Sequence, residues 1–361
     1  MAVFFIALAV YAVGILLTAV GSRLAGRCAT WCCALCGFPL WVVGGTVAAI
    51  CLALPQLMLT FLAAGWSITG LAVGVALAGA VTDLGLVLAL CLLSRHSITV
   101  DRGEFCSKCF LLFAACAVIL LFVRDGTLSY TGTGLLMLLF VVFIFQNILY
   151  QHRFLYNEDL HLMQTGVANG TRTPPAQPSG YTAHTMAFPI MSVANALKNL
   201  AGVVGGIMLL TMGAQALVYS ATSLANLTGT IQALWAATLI SFGFCLPLLA
   251  EVLRHPFGTL WQKFSERCRF YPAGALPVQM LNSAILNLTL ALPLSGLMYR
   301  KRLPVGAQFR AYELPACIVL SLVLLLPPLL LRKLSRKQGA ACLCVYLVYL
   351  AAVLLAPLAG A

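Results

Sequence analysis

Carboxylates are scarce in this chain: nine Asp and Glu stand among 361 residues, and only 8% of positions are charged. A soluble protein needs a polar exterior. With 62% hydrophobic residues and a mean hydropathy of +1.00, this chain cannot keep its apolar surface out of water. A soluble globular fold is excluded, and the composition points to an all-α polytopic membrane protein. A basic leader is also missing. The first apolar run, "MAVFFIALAVYAVGILLTAVGSRLAGR", therefore reads as a first span and not as a cleaved signal. The net charge of +12 reflects the missing acids more than an excess of bases. Its cations sit in short loops between apolar runs, so the anionic partner is lipid headgroups and not nucleic acid.

Cysteine, by contrast, is plentiful, at 14 residues. Cys51, Cys91, Cys116, Cys245 and Cys317 lie inside apolar runs, where the thiol acts as a small hydrophobe. Two clusters differ: "CATWCCALC" (Cys28, Cys32, Cys33, Cys36) and "CSKC" (Cys106, Cys109). Two CxxC pairs can in principle make a four-thiolate zinc site. Their surroundings are apolar, however, and no His or carboxylate is organised around the first, so we assign neither a metal nor a cofactor.

About 20 apolar residues cross a bilayer. By that ruler the chain has about ten spans: 2–21, 38–64, 68–93, 106–123, 130–150, 198–220, 228–252, 274–298, 313–331 and 341–359. The polar stretch 151–187, rich in Pro, Gly and Asn, reads as a linker. It divides a first five-helix half (1–150) from a second (191–361), with the linker taken as 151–190. Most Lys and Arg fall in the loops after odd-numbered spans, which predicts both termini outside and the long loop cytoplasmic. The cluster Arg300, Lys301, Arg302 and Arg310 departs from that rule.

The two halves echo one another. "LALPQL" places Pro55 in mid-span, and "FCLPLL" repeats the interruption at Pro247. Thr46 and Thr238 precede the two prolines at the same interval. "GAVTDLGLVLAL" aligns with "SAILNLTLALPL", matching Asp83 with Asn287 and Gly79 with Ser283. With five spans in each half, the second must be inserted upside down. Inverted repeats with interrupted helices at mid-membrane are the architecture of secondary transporters. A mid-span proline is expected to break the helix and free the carbonyl one turn earlier, at Cys51 and at Gly243.

These segments resemble the cation/calcium exchangers, the family of the sodium/calcium exchangers. "PLWVVGGTVAAICLALPQL" and "LAVGVALAGAVTDLGL" are similar to the two halves of its first α-repeat motif, over 39–93. "GTIQALWAATLISFGFCLPLL" and "LPVQMLNSAILNLTL" are similar to the second, over 229–298. The resemblance implies an ion site at Asp83, Gln56, Gln279, Ser283 and Asn287. It also implies transported cations drawn from Na+, Ca2+, H+ or K+. The departures are informative. The family's glutamate after proline is Gln56 in one repeat and Leu248 in the other. Its preceding hydroxyls become Leu52-Ala53 and Phe244-Cys245. Asp83 is then the carboxylate at mid-membrane by motif position, whereas Glu251 reads as interfacial or as a further ligand. Calcium usually takes six to eight oxygens with several carboxylates, so one Asp among amides suits a monovalent cation or a proton better.

The leading expectation is thus a cation antiporter of sodium/calcium exchanger type with a degenerate site and altered ion preference. A transport-inactive relative serving as membrane scaffold or sensor is the alternative. An enzyme is not expected, because no His, Cys or Ser accompanies Asp83 or Glu251 in a hydrolytic motif. The Asn-x-Thr matches at Asn169, Asn226 and Asn287 fall in a cytoplasmic loop or in membrane positions, so they read as chance. The expected partners are the lipid bilayer and inorganic cations.

Overall fold

In the computed structural model, the described residues are 2–35, 46–94, 97–99, 102–123, 125–168, 193–253, 276–331 and 333–359. Backbone polar groups in hydrocarbon must be paired within their own segment, so apolar runs of this length become helices. Eight helices are long and apolar enough to cross a membrane. Two shorter apolar helices, Ala49–Gly65 and Gln232–Leu246, fill the places of spans two and seven. In chain order, span one is Ala2–Leu35 and span two Ala48–Gly65. Span three runs Thr69–Ser94, span four Arg102–Phe122 and span five Tyr130–Ala168. Span six is Val193–Thr228, and span seven runs from Gln232 to Leu253. Spans eight, nine and ten run Leu276–Tyr299, Phe309–Leu331 and Arg336–Ala359.

Burial orders these helices into a centre and a periphery. Span three has 89% of its apolar window buried and span eight 83%, against 17% for span one. Spans three and eight therefore form the core, and the flanking helices present Leu, Val and Phe to lipid. Spans one and six pack along one another through a glycine seam. A Cβ added at Gly21 would lie 2.8 Å from the Gly206 carbonyl, and one at Gly213 would lie 2.8 Å from the Thr18 nitrogen. Close backbone approach between small residues is the usual basis of helix pairing in lipid.

Two short antiparallel ribbons tie loops together. Ser97–Thr99, after span three, pairs with Lys333–Ser335, after span nine. Thr127–Leu128, after span four, pairs with Leu303–Pro304, after span eight. Each ribbon joins loops that share a face when ten spans alternate, and the two ribbons belong to opposite faces.

Three expectations are corrected. The helix break at Pro55 is absent, since span two continues through it as one α-helix. The helix Ser241–Leu253 likewise runs on past residue 247, so no break occurs at Pro247. Local departures from α-geometry do occur, but as π turns elsewhere: at Thr46 and Val47, Asp83–Leu88, Ala236–Ile240, Asn287–Ala291 and Phe309–Glu313. The linker also begins later than expected, because span five stays helical to Ala168. Its segment 151–168 has one glycine and no proline, so nothing in it stops the helix. Residues 169–192 and the cysteine at Cys36 lie outside the described residues.

Candidate ion site

Span three brings Asp83 into the core at the first residue of a π turn, and the side chain is fully enclosed. Its carboxylate is the hub of a polar cluster. Ser283 Oγ, from span eight, donates to Oδ2 at 2.7 Å. Cys245 Sγ, from span seven, donates to Oδ1 at 3.3 Å. Gln56, from span two, supplies a further side-chain hydrogen bond, leaving its own Oε1 without a partner. Four helices, two from each half, thus converge on one carboxylate.

Asn287 begins the matching π turn in span eight and is also completely buried. It faces Gly79: a Cβ there would lie 3.2 Å from Asn287 Nδ2 and 3.3 Å from Gln56 Nε2. The repeat correspondence explains an asymmetry in the site. Ser283, Cys245 and Gln56 surround Asp83. Their counterparts around Asn287 are Gly79, Ala53 and Leu248, none of which can donate from a side chain. Accordingly both Asn287 amide atoms are buried without a hydrogen-bond partner. One half-site is furnished, and the other has lost its polar groups.

The remaining candidates divide. Gln279 and Thr46 are buried, and Gln279 Oε1 and Thr46 Oγ1 lack partners. Thr238 instead spends its hydroxyl on the Leu234 carbonyl of its own helix, at 2.7 Å. The Cys51 carbonyl accepts from Ser22 Oγ at 3.0 Å, so the expected free oxygen is bonded to span one. Near Gly243 the corresponding bond goes to Leu239, whose carbonyl accepts from Tyr11 Oη at 2.7 Å. The Glu251 side chain lies outside what is described. Among the described residues no group of three or more His, Cys, Asp or Glu could hold a metal ion, and Cys36 of the first cluster lies outside them. Cys109 lies near both Cys106 and Cys342 of span ten.

Sequence reasoning passed over three residues. Asn282 is buried with Oδ1 unpartnered. Its spacing from Gln279 and Ser283 along one helix face was the available signal. Cys245 looked apolar by composition, although it occupies a hydroxyl position of the repeat. Glu313, at the start of span nine, is completely buried but stands beside Arg310 in the sequence and so resembles an interfacial residue.

The comparisons with known proteins bear on the family and the fold. The family model "Sodium/calcium exchanger protein" matches residues 6–149 and 275–355, well over half of the chain. No match is found among curated protein sequences. Among solved structures, the sodium-calcium exchanger NCX_Mj soaked with sodium and strontium is 18% identical, with a TM-score of 0.56. That alignment covers 96% of this chain and 99% of the other. The same exchanger soaked with sodium and without calcium gives 0.57 at 18% identity, again over 96% and 99%. Soaked without either ion it gives 0.55 at 18%, over 97% and 99%. At that identity the likeness speaks for the fold, while the family model takes in the first repeat and spans eight to ten of the second; the chain belongs to the sodium/calcium exchanger protein family.

Proposed function

We propose that this chain is a secondary-active cation antiporter whose central site serves a monovalent cation or a proton in preference to calcium. One observation carries the reading: among the described residues, the buried cluster between spans two, three, seven and eight contains a single carboxylate, Asp83, with amides, a hydroxyl and a thiol around it. A divalent ion held by one carboxylate keeps a net positive charge in a low-dielectric site. At an effective dielectric of 20, a unit charge pair 4 Å apart is worth about 4 kcal/mol, so each missing carboxylate weakens calcium by orders of magnitude. A monovalent ion loses much less. The ligand set proposed is Asp83, Gln56, Gln279, Ser283 and Asn287, with Asn282 and Thr46 beside them. The halves 1–150 and 191–361 supply the two repeats, with both termini outside.

A transport-inactive scaffold has one observation in its favour. Both Asp83 oxygens already accept bonds from protein donors, which satisfies the carboxylate without an ion. Flux into reconstituted vesicles separates the two readings. With calcium, sodium, potassium and protons tested in turn, the antiporter exchanges monovalent cations or protons and carries little calcium. Absence of every flux would favour the scaffold. Strong sodium-driven calcium uptake that survives Asp83→Asn would defeat the charge argument.

A further inference from the structure

We propose that Glu313 is a second proton-binding site, distinct from the Asp83 centre and served by a cavity at the mouth of the helix bundle. The proposal rests on the antiporter reading only for its coupling to transport, and the protonation itself is tested separately.

The backbone first singles this residue out. Among the described residues, four of the π turns fall in matching pairs. Thr46–Val47 corresponds to Ala236–Ile240, and Asp83–Leu88 to Asn287–Ala291. Each of these carries one of the repeat's polar candidates. The fifth, Phe309–Glu313, has no described counterpart in the first half and ends on a carboxylate. Such π turns are concentrated at functional sites.

The side chain supplies the second observation. Glu313 is 0% exposed, and its Oε2 has no hydrogen-bond partner. Oε1 receives only a long 3.4 Å bond from Gln308 Nε2. Tyr349 of span ten lies beside it with its buried hydroxyl within side-chain hydrogen-bonding reach of the carboxyl, too loosely placed to satisfy either oxygen fully. The groups facing Glu313 are few. Span ten contributes Tyr349 and, one turn away, Tyr346, with ring centroids 6.1 Å apart. Span nine contributes Cys317, which lies near Tyr349. The adjoining part of span three, Thr69–Thr82, has no titratable residue. Arg310, on the same turn, is directed toward Gly126. By contrast, the opening of span four neutralises its buried Lys108 internally, with Glu104 2.7 Å away.

Access and ligand identity follow. A cavity of ≈ 560 Å³ is lined by Thr69, Asn226, Thr230, Gln232 and Gln308. Gln308 is thus both a wall of that cavity and the hydrogen-bond donor to Glu313. A carboxylate so enclosed, packed against Tyr349 and Gln308, costs several kcal/mol unless its charge is cancelled. Two carboxylate oxygens and a phenol are too few ligands for a metal cation, whereas a proton needs one lone pair. The transfer is from solvent in the cavity to Oε2, giving the neutral acid and changing no heavy-atom bond. Tyr346 also hydrogen-bonds Thr82, the neighbour of Asp83, which gives the two carboxyls a physical connection.

Infrared difference spectroscopy of the purified full chain, between acid and alkaline pH, tests the site. Asp83→Asn removes the other buried carboxyl among the described residues, and in that background a titrating carboxylic-acid band from an enclosed acid is expected. The component of that band due to the enclosed acid should vanish on adding Glu313→Gln, leaving those of the remaining carboxyls, and its midpoint should move in Tyr349→Phe, which keeps the acid. A spectrum unchanged by Glu313→Gln, or a band that does not respond to pH, overturns the proposal even if the protein transports cations. If the wild type transports nothing while the band titrates, the antiporter reading fails and the proton site stands. In vesicles that do transport, Glu313→Gln should cut proton-driven flux about tenfold, equal to about 1.4 kcal/mol of coupling, while cation counterflow stays within about twofold. Equal loss of both fluxes would count against a coupling role.

Discussion

Asp83 and Asn287 occupy one position in the two halves and differ by a charge and by their neighbours. Asp83 accepts from Ser283, Cys245 and Gln56, all of which point hydrogens at it. Asp83→Asn would turn an amide NH2 toward these donors and remove the cluster's charge. We expect it to abolish cation-coupled flux, measured in vesicles, and to lower thermal stability by about 1–3 kcal/mol from mispaired buried groups. A second substitution tests the unfurnished half-site. Gly79→Ser would place a hydroxyl beside the orphaned Asn287 amide, and its Cβ would sit 3.2 Å from Nδ2, close but tolerable with a small shift. Stronger monovalent binding by titration calorimetry is the expected result, and loss of binding would show that the gap at Gly79 is needed by the ion. The third concerns charge. Gln56→Glu with Leu248→Glu should raise calcium uptake by at least about tenfold, since each added carboxylate contributes on the order of the 1.4 kcal/mol that a decade requires. Much of this chemistry was legible in the sequence, because Asp83, Ser283 and Asn287 keep motif spacing. Glu313 was not legible, because a carboxylate at the edge of an apolar run looks solvated until span ten is seen to cover it.

At the scale of elements, the prolines carry less than their sequence context suggested. A helix can pass through Pro55 when neighbouring groups use the carbonyl that proline leaves free, and Ser22 does this for Cys51. That bond joins helices far apart in sequence, so pattern reading could not supply it. The glycine seam between spans one and six gives a sharper test. A Cβ at Gly206 would lie 2.6 Å from the Ala25 nitrogen, whereas one at Gly205 meets nothing within 4 Å. Backbone cannot step aside as a flexible side chain can. Gly206→Ala should therefore destabilise the protein by about 1–3 kcal/mol, and Gly205→Ala should be neutral within about 0.5 kcal/mol. Thermal unfolding of the detergent-solubilised protein compares the two. Equal effects would show that the seam does not hold these helices together.

At the scale of the whole molecule, ten alternating helices force the loops into two sets, and the ribbons report which loops share a face. Ser335 sits in the ribbon that joins the loops after spans three and nine, and Thr127 in the one that joins those after spans four and eight. Alternation and hydropathy were readable from the sequence; the pairing of loops distant in the chain was not, since it depends on how the helices pack. Charge predicts the sidedness. Toward the loops after odd-numbered spans stand Arg23 and Arg27 in the later part of span one's helix, Lys333 in a ribbon, and Arg336 and Lys337 at the start of span ten, and the cytoplasmic side retains such cations. The opposite face carries Arg300, Lys301 and Arg302, which are exposed, with Arg300 closing span eight in the left-handed conformation. Three residues packed into one short loop make that face the less basic one in total. Thr127→Cys should therefore react with a membrane-impermeant maleimide added outside intact cells, and Ser335→Cys only after permeabilisation, each scored against the background of the native cysteines. Labelling in the opposite sense would show that the Arg300 cluster sets the orientation, and that the cavity beside Gln308 opens to the cytoplasm.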